Sequence, residues 1–200
     1  MMMKEEGEGR KAVTRQLSRV TIQFSSVENV HARLSELEHV LNSYDIRAVC
    51  PTSEKAFQYA CASMDVDVIS LGREAMCHRF AFPCRHDVIQ KAVARGVVFE
   101  IPYTCFLTDN SSKRQQFISN ARALVQGTGG ACIVCSSMAH IGFEMRKPYD
   151  VVNMATFFGF SEEQAYDCVS KTPLNVVERA RARSAFKGRM LVEKVSVRPK

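Results

Sequence analysis

Ala131-Cys-Ile-Val-Cys-Ser-Ser-Met-Ala139 runs through a short link into Glu144-Met-Arg-Lys-Pro-Tyr-Asp-Val-Val-Asn153 and on to Ser161. The first half is a short apolar, β-branched run ending on two serines, the pattern of a strand buried in a parallel sheet. The second half opens a helix. Pro148 fits its first turn, where the missing N–H is not needed, and Gly159 fits its end. Between strand and helix lie Arg146 and Lys147, adjacent cations on the connecting loop. In wound α/β proteins the loops at the carboxyl ends of strands are where ligands bind. A solvated loop is the ordinary alternative.

Outward from this unit the same grammar repeats. Val20–Phe24 alternates as a strand, and Val27, Val30, Leu34, Leu37 and Leu41 follow at helical spacing. Asp45–Cys50 is the next strand, closed by Pro51. Thr52 or Ser53 caps a helix with Ala56, Phe57, Ala60 and Met64 on its buried stripe. Asp67–Leu71 is the third strand. A long connection over 72–85, with Phe80, Phe82 and Pro83, leads to a helix ending at Arg95 and Gly96. Val97–Ile101 is the fourth strand. A helix over 112–126 turns Phe117, Ile118, Ala121, Leu124 and Val125 inward and closes at Gly127, Gly129 and Gly130. Ala131–Ser136 is the fifth strand, followed by the 148–158 helix. Ser161-x-x-Gln164 reads as a capping box. Thr172-Pro173 reads as a cap and first position of a helix running to about Arg183.

Five strands in strict alternation with helices predict an α/β fold: a parallel sheet with helices packed outside. The chain contains no internal repeat. Gly127-x-Gly-Gly precedes a strand instead of opening a helix, so it is a turn and not a dinucleotide fingerprint.

With 200 residues, 46% of them hydrophobic, the chain can bury one domain core. No apolar run approaches the roughly 18 residues of a membrane span. The polar start Met1–Arg10 carries three glutamates and fits neither a signal nor a transit peptide. A disordered leader over 1–16, a single domain over 17–187, a basic tail over 188–200 and an intracellular setting are expected.

Eight cysteines, at 50, 61, 77, 84, 105, 132, 135 and 168, sit mostly inside apolar runs, which favours reduced thiols that fill the core. Cys132 and Cys135 form a CxxC, but their odd separation along a strand sends them to opposite faces. Cys77, His78, Cys84 and His86 form a denser group whose spacing matches no familiar zinc site. Residues 171–200 hold nine Lys/Arg and two acids, a net charge of +7 within a total of +6. That asymmetry points to an anionic partner, nucleic acid above others, and a solubilising tail is the alternative.

Arg114 lies on the buried stripe of its helix, counting back from Ile118 and Ala121. Its helix begins just above a strand end, so Arg114, Arg146 and Lys147 are expected to form a basic rim. A structural ion pair of Arg114 with Glu100 or Asp109 is the alternative. Glu100 and Asp67 lie within strands and read as satisfied structural anions. The five histidines, 31, 39, 78, 86 and 140, form no metal-binding pair. Ser136 and Ser137 lack a nucleophile elbow. No catalytic residue, metal site or cofactor emerges, and the visible chemistry is anion binding.

Asp65-Val-Asp-Val-Ile-Ser-Leu71, Ala94-Arg-Gly-Val-Val-Phe-Glu-Ile-Pro-Tyr103, Arg114-x-x-x-Ile-Ser-Asn-Ala121, Ile133-Val-Cys-Ser-Ser137, Arg146-Lys-Pro-Tyr-Asp-Val-Val-Asn153 and Phe158-Gly-Phe-Ser161 occur in this order. Together they resemble the TIM-barrel protein subunit shared by ribonuclease P and ribonuclease MRP, the 30 kDa type also termed RNase P protein component three. The match covers roughly residues 17–187.

The resemblance implies a PHP-like, TIM-type α/β barrel of seven strands in an accessory, non-catalytic subunit. Such a subunit binds the catalytic RNA, a small ferredoxin-like protein subunit and other RNase P proteins. It supports removal of 5′ leaders from precursor tRNA, and rRNA processing in the MRP form. It further implies a nuclear, nucleolar location and no membrane. Catalysis in these ribonucleoproteins is attributed to RNA-bound metal ions. The positions it marks for RNA or partner contact are Arg95, Arg114, Arg146, Arg179, Arg181 and Arg183, and Lys147, from its place on the loop, joins them as an RNA-binding candidate.

Three features depart from the pattern. Lys147 stands where the family usually has glycine, and the 72–86 connection is longer and lacks the usual Leu-Pro-Phe. The chain also begins at what looks like the third strand, so an incomplete, five-stranded barrel is expected. Val20–Phe24 would then be an open edge. Two readings compete with the accessory subunit: a PHP-type metal-dependent phosphoesterase, and a zinc-stabilised interaction module built on Cys77–His86.

Overall fold

The computed structural model describes residues 16–28 and 30–185. The leader expected over 1–16, Gln16 apart, and the tail expected over 188–200 lie outside the described residues.

Strand β1 (Arg19–Phe24) is followed by the short helices α1 (Val30–Glu36) and α2 (Glu38–Leu41). The single amphipathic helix expected there is broken at Leu37. Of its predicted stripe only Leu41 is buried, and Leu37 is 49% exposed. β2 (Ile46–Pro51) leads to α3 (Glu54–Ala62), whose cap is Ser53, its side chain accepting from the Ala56 N–H. Ala56, Phe57, Ala60 and Met64 are all buried, as their spacing predicts. β3 (Val68–Ser70) opens the long connection, which holds only the four-residue α4 (Arg73–Met76) before α5 (His86–Ala94).

β4 (Val98–Pro102) turns through a 3-10 segment (Tyr103–Leu107) into α6 (Ser111–Thr128). Gly129 ends α6 in the left-handed region at φ 68°, and Gly130 follows at φ 77°. A Cβ on Gly130 would also lie 2.3 Å from the Gln164 side chain, so the turn has room for glycine only. β5 (Ile133–Ser136) and a second 3-10 turn (Gly142–Glu144) lead into α7 (Pro148–Phe157), with Pro148 in its first turn. Ser161 and Gln164 form the full capping box of α8 (Glu162–Asp167). The last helix, α9 (Lys171–Ala185), starts one residue before the Thr172 cap that the sequence suggests. Pro173 still falls in its first turn, where a missing N–H does no harm.

All neighbouring strands pair in parallel, in the order β1-β2-β3-β4-β5. Alternate residues face opposite sides of the sheet. Val49, Ile69, Phe99, Ile101, Ile133 and Cys135 face the packed helices in the main core. Ala48, Val68, Val98 and Val134 face the other way, and Val176 of α9 covers them. Cys132 belongs to this second cluster and Cys135 to the first, so the CxxC is split as expected, although Cys132 sits just before β5 at φ 52° and not on the strand where the sequence places it.

The two edges differ. β5 is covered where the Cys135 N–H donates to the Cys168 carbonyl, 3.2 Å away. β1 pairs with β2 alone among the described residues, and Thr21 and Gln23 are exposed. Among the described residues, the barrel-type sheet therefore has β1 as an edge strand. All eight cysteines are free thiols. Burial pushes Cys61 and Cys84 up to about 12, so both stay protonated and act as small apolar fillers. No described helix is long and apolar enough to cross a membrane.

Candidate functional site at the carboxyl rim

Loops leaving β3, β4 and β5 meet around a cleft of about 500 Å³. Arg73, Lys113 and Arg146 line it, but so do Glu74, Asp109 and Glu144. The basic rim expected from sequence is thus balanced by acids. Arg73 reaches across the cleft to both oxygens of Glu144 at 3.3 Å and to the Met138 carbonyl at 3.2 Å.

The loop from Ser137 to Lys147 is fastened at several points. The Thr104 hydroxyl donates to the Ser137 carbonyl at 2.7 Å, and the Arg146 N–H donates to the Tyr103 hydroxyl at 3.0 Å. Glu144 also accepts from the His140 N–H at 2.8 Å. That backbone donor, then Arg73, holds the Glu144 carboxyl below its ordinary range. The Arg146 guanidinium folds back to donate to the carbonyls of Phe143 (2.7 Å) and Met145 (2.9 Å), with its carbon 6.0 Å above the Phe143 ring. Arg146 and Lys147 remain exposed at the tip.

Of the other marked cations, Arg114 stands beside this cleft and the rest lie elsewhere. Arg95 follows α5 and donates to the Ala60, Cys61 and Met64 carbonyls, satisfying the open end of α3. Arg114 is half-buried and donates to the Phe106 and Thr108 carbonyls at the turn before its own helix. The alternative that paired it with Glu100 or Asp109 is corrected: the described bonds of Arg114 go to backbone oxygens of the turn beside the cleft, which no spacing rule reveals, and its place at the rim is the one its helix position predicts. Arg183 forms a close ion pair with Asp67 and donates to the Asp45 carbonyl, while Arg179 binds the Arg95 carbonyl. Arg181, between them, is exposed. Helical geometry sends alternate arginines of the Arg-Ala-Arg-Ala-Arg run to different faces.

Both strand carboxylates are satisfied. Asp67, fully buried, takes Arg183, Arg179 at 3.9 Å and the Arg47 N–H at 2.8 Å. Glu100 takes a two-pronged Arg19 guanidinium at 2.6 and 2.7 Å and the Ser136 hydroxyl at 2.7 Å. Burial alone would raise the Glu100 pKa, but the Arg19 hydrogen bonds and charge, with Ser136 and Ser70, hold it below the ordinary range. Sequence reading missed Arg19. It lies on β1 and its partner on β4, so contact requires the sheet to curl its concave face closed.

Among the described residues no group of three or more His, Cys, Asp or Glu side chains is placed to hold a metal. The His78 ring faces the Glu74 carbonyl at 2.8 Å instead of turning toward a shared centre. The Cys77–His86 group therefore does not assemble as a zinc site. Besides its acids, the rim carries two exposed cations, Arg146 and Lys147, and the exposed side chains of Ile141, Phe143, Met145 and Tyr149.

Comparison with known proteins fits this geometry. The family described as RNase P subunit p30 matches residues 4–185. Protein GAMETOPHYTE DEFECTIVE 1 of Arabidopsis thaliana is 35% identical over 180 residues, 90% of this chain and 30% of that protein. The probable ribonuclease P protein subunit 3 of Schizosaccharomyces pombe is 30% identical over 166 residues, 83% of this chain and 67% of that protein. Ribonuclease P protein subunit p30 of Mus musculus is 36% identical over 127 residues, 64% of this chain. The chain spans 46% of the mouse relative, so it corresponds to part of such proteins. A chain in the cryo-EM structure of archaeal ribonuclease P with mature tRNA superposes with a TM-score of 0.71 at 16% identity, covering 94% of this chain and 79% of that one. That likeness extends the shared fold to the barrel-type sheet described above. This chain belongs to the RNase P subunit p30 family.

Proposed function

We propose that the chain is an accessory, non-catalytic subunit of ribonuclease P, with a role in the MRP form as well. It binds the catalytic RNA and other protein subunits and supports removal of 5′ leaders from precursor tRNA. The observation that carries this reading is the family match over residues 4–185. The rim agrees with it by presenting exposed cations and apolar side chains that can contact RNA or protein.

Of the cations singled out in the sequence, Arg146, Lys147 and Arg181 are exposed and are proposed to make the direct contacts, Arg181 to phosphate and Arg146 and Lys147 at the rim to RNA or to a partner subunit. Arg95, Arg114, Arg179 and Arg183 are proposed to act by shaping the surface that carries those contacts. A small ferredoxin-like subunit is the proposed protein partner, residues 17–187 the folded unit, and the nucleus with its nucleolus the site of action.

The test is purification of the tagged full chain from cells. The material is expected to contain the ribonuclease P RNA and to cleave precursor tRNA, with activity lost when that RNA is digested. Material free of that RNA, or cleavage that survives its digestion, would reject the accessory-subunit reading.

A further inference from the structure

Four of the ten large apolar side chains most exposed among the described residues fall within nine positions on the 137–149 segment. Ile141 is 61% exposed, Phe143 85%, Met145 60% and Tyr149 71%. Scattered exposure is ordinary, but clustering of this kind marks an interaction surface.

The segment is not loose. The Thr104, Tyr103, Arg73 and His140 contacts described above hold it, and Met138 at its base sits at φ 44°, a left-handed value that a non-glycine residue keeps only when its surroundings enforce it. Its one acid, Glu144, is drawn onto Arg73 and the His140 N–H. The apolar groups are therefore displayed on a preformed platform whose tip carries Arg146 and Lys147. A preformed loop loses little entropy on association.

We infer that this platform docks a protein subunit bearing an apolar patch edged by carboxylates. Phe, Tyr, Met and Arg are the residues enriched at protein interfaces. Ile141 and Met145 offer neither charge nor a flat ring, so they would contribute little to binding RNA. The exposed cations fix the sign of the partner's edge. The inference rests on the subunit reading for its setting but not for its outcome.

A benzophenone amino acid placed at position 143 of the tagged full chain, irradiated in the complex purified from cells, is the test. The expected product is one discrete adduct with another polypeptide, at a peptide containing apolar residues beside Asp or Glu. The paired change Phe143→Ser with Met145→Ser should lower recovery of that polypeptide at least tenfold while the free chain's Tm stays within about 2 °C. Lys147→Glu should weaken it, and exchanging the cross-linked acid for lysine should restore it. An adduct with RNA, or no adduct in an intact complex, would overturn the proposal. Recovery of ribonuclease P RNA is scored separately, so its absence counts against the subunit reading while the adduct still decides the docking question.

Discussion

At the amino end of the sheet, Arg179 and Arg183 of α9 turn inward to Asp67 and to backbone carbonyls. At the carboxyl rim, Arg146 and Lys147 stand in water on a fastened loop. The amino end presents buried carboxylate and unfilled carbonyls, which an arginine can satisfy with its planar, five-donor head. At the rim, Arg73 takes Glu144, while Arg146 turns back to the Phe143 and Met145 carbonyls of its own loop and, with Lys147, stays at the surface. An arginine's role here follows from which acceptors the fold leaves open beside it.

The sharpest break in this comparison is Asp67→Ala. It strips a buried carboxylate from two arginines and the Arg47 N–H. Removing one partner of such a buried pair costs about 3 to 5 kcal/mol. Urea unfolding should show that loss together with freed proteolytic access to α9. A loss under about 1 kcal/mol would mean the amino end is held by apolar packing instead.

Arg19→Met should cost about 3 kcal/mol at neutral pH, because Glu100 is then left charged and buried. The sign of its pH dependence is informative. Glu100 lies below its ordinary range in the folded protein, so its contribution is present above the ordinary carboxyl pKa and fades as pH falls through the folded value. In the variant, protonation relieves the buried charge. The stability gap between the two proteins should therefore narrow toward pH 4, and a gap that widens would contradict the pairing.

Arg114→Ala and Arg95→Ala come next, at about 2 kcal/mol each, since both remove charge-assisted bonds to carbonyls. Thermal melts check this directly. Any weakening of RNA assembly in these two variants should track the stability loss and recover when the fold is stabilised by an unrelated substitution.

The smallest stability effects belong to Arg146→Ala, Lys147→Ala and Arg181→Ala, each within about 0.5 kcal/mol. Here the readout is affinity. A cation that touches phosphate should, when replaced, reduce the slope of log affinity against log salt by about 0.7 to 0.9. Unchanged slopes in all three would assign these cations to protein partners or to solubility.

Much of this could be read from residues. The five strands follow from short β-branched runs, and the helices from apolar spacing and caps such as Ser53 and Ser161-x-x-Gln164. The split of Cys132 from Cys135 matches the expectation from strand periodicity, though Cys132 itself lies one residue before β5. The break at Leu37 was hidden because apolar spacing continues through it. Near the β1 edge, Val30 and Leu34 only partly reach the core among the described residues, although their spacing matches a fully buried stripe. Arg114 illustrates another limit. Its place on the inward face was legible, but its acceptors are carbonyls of a turn, and carbonyls carry no residue signature.

What the sequence determined by itself is the order of elements, the parallel sheet, the balance of apolar and charged faces and the family pattern. These depend on periodicities and turn chemistry that act within a few residues. Only the tertiary structure decided which cations are engaged. Arg19 meets Glu100 across 81 positions, and Arg183 meets Asp67 across 116. Those pairings exist because the sheet curls and α9 returns across its amino end. The energy of a charge is set by what is brought within a few ångströms of it, which local sequence does not encode.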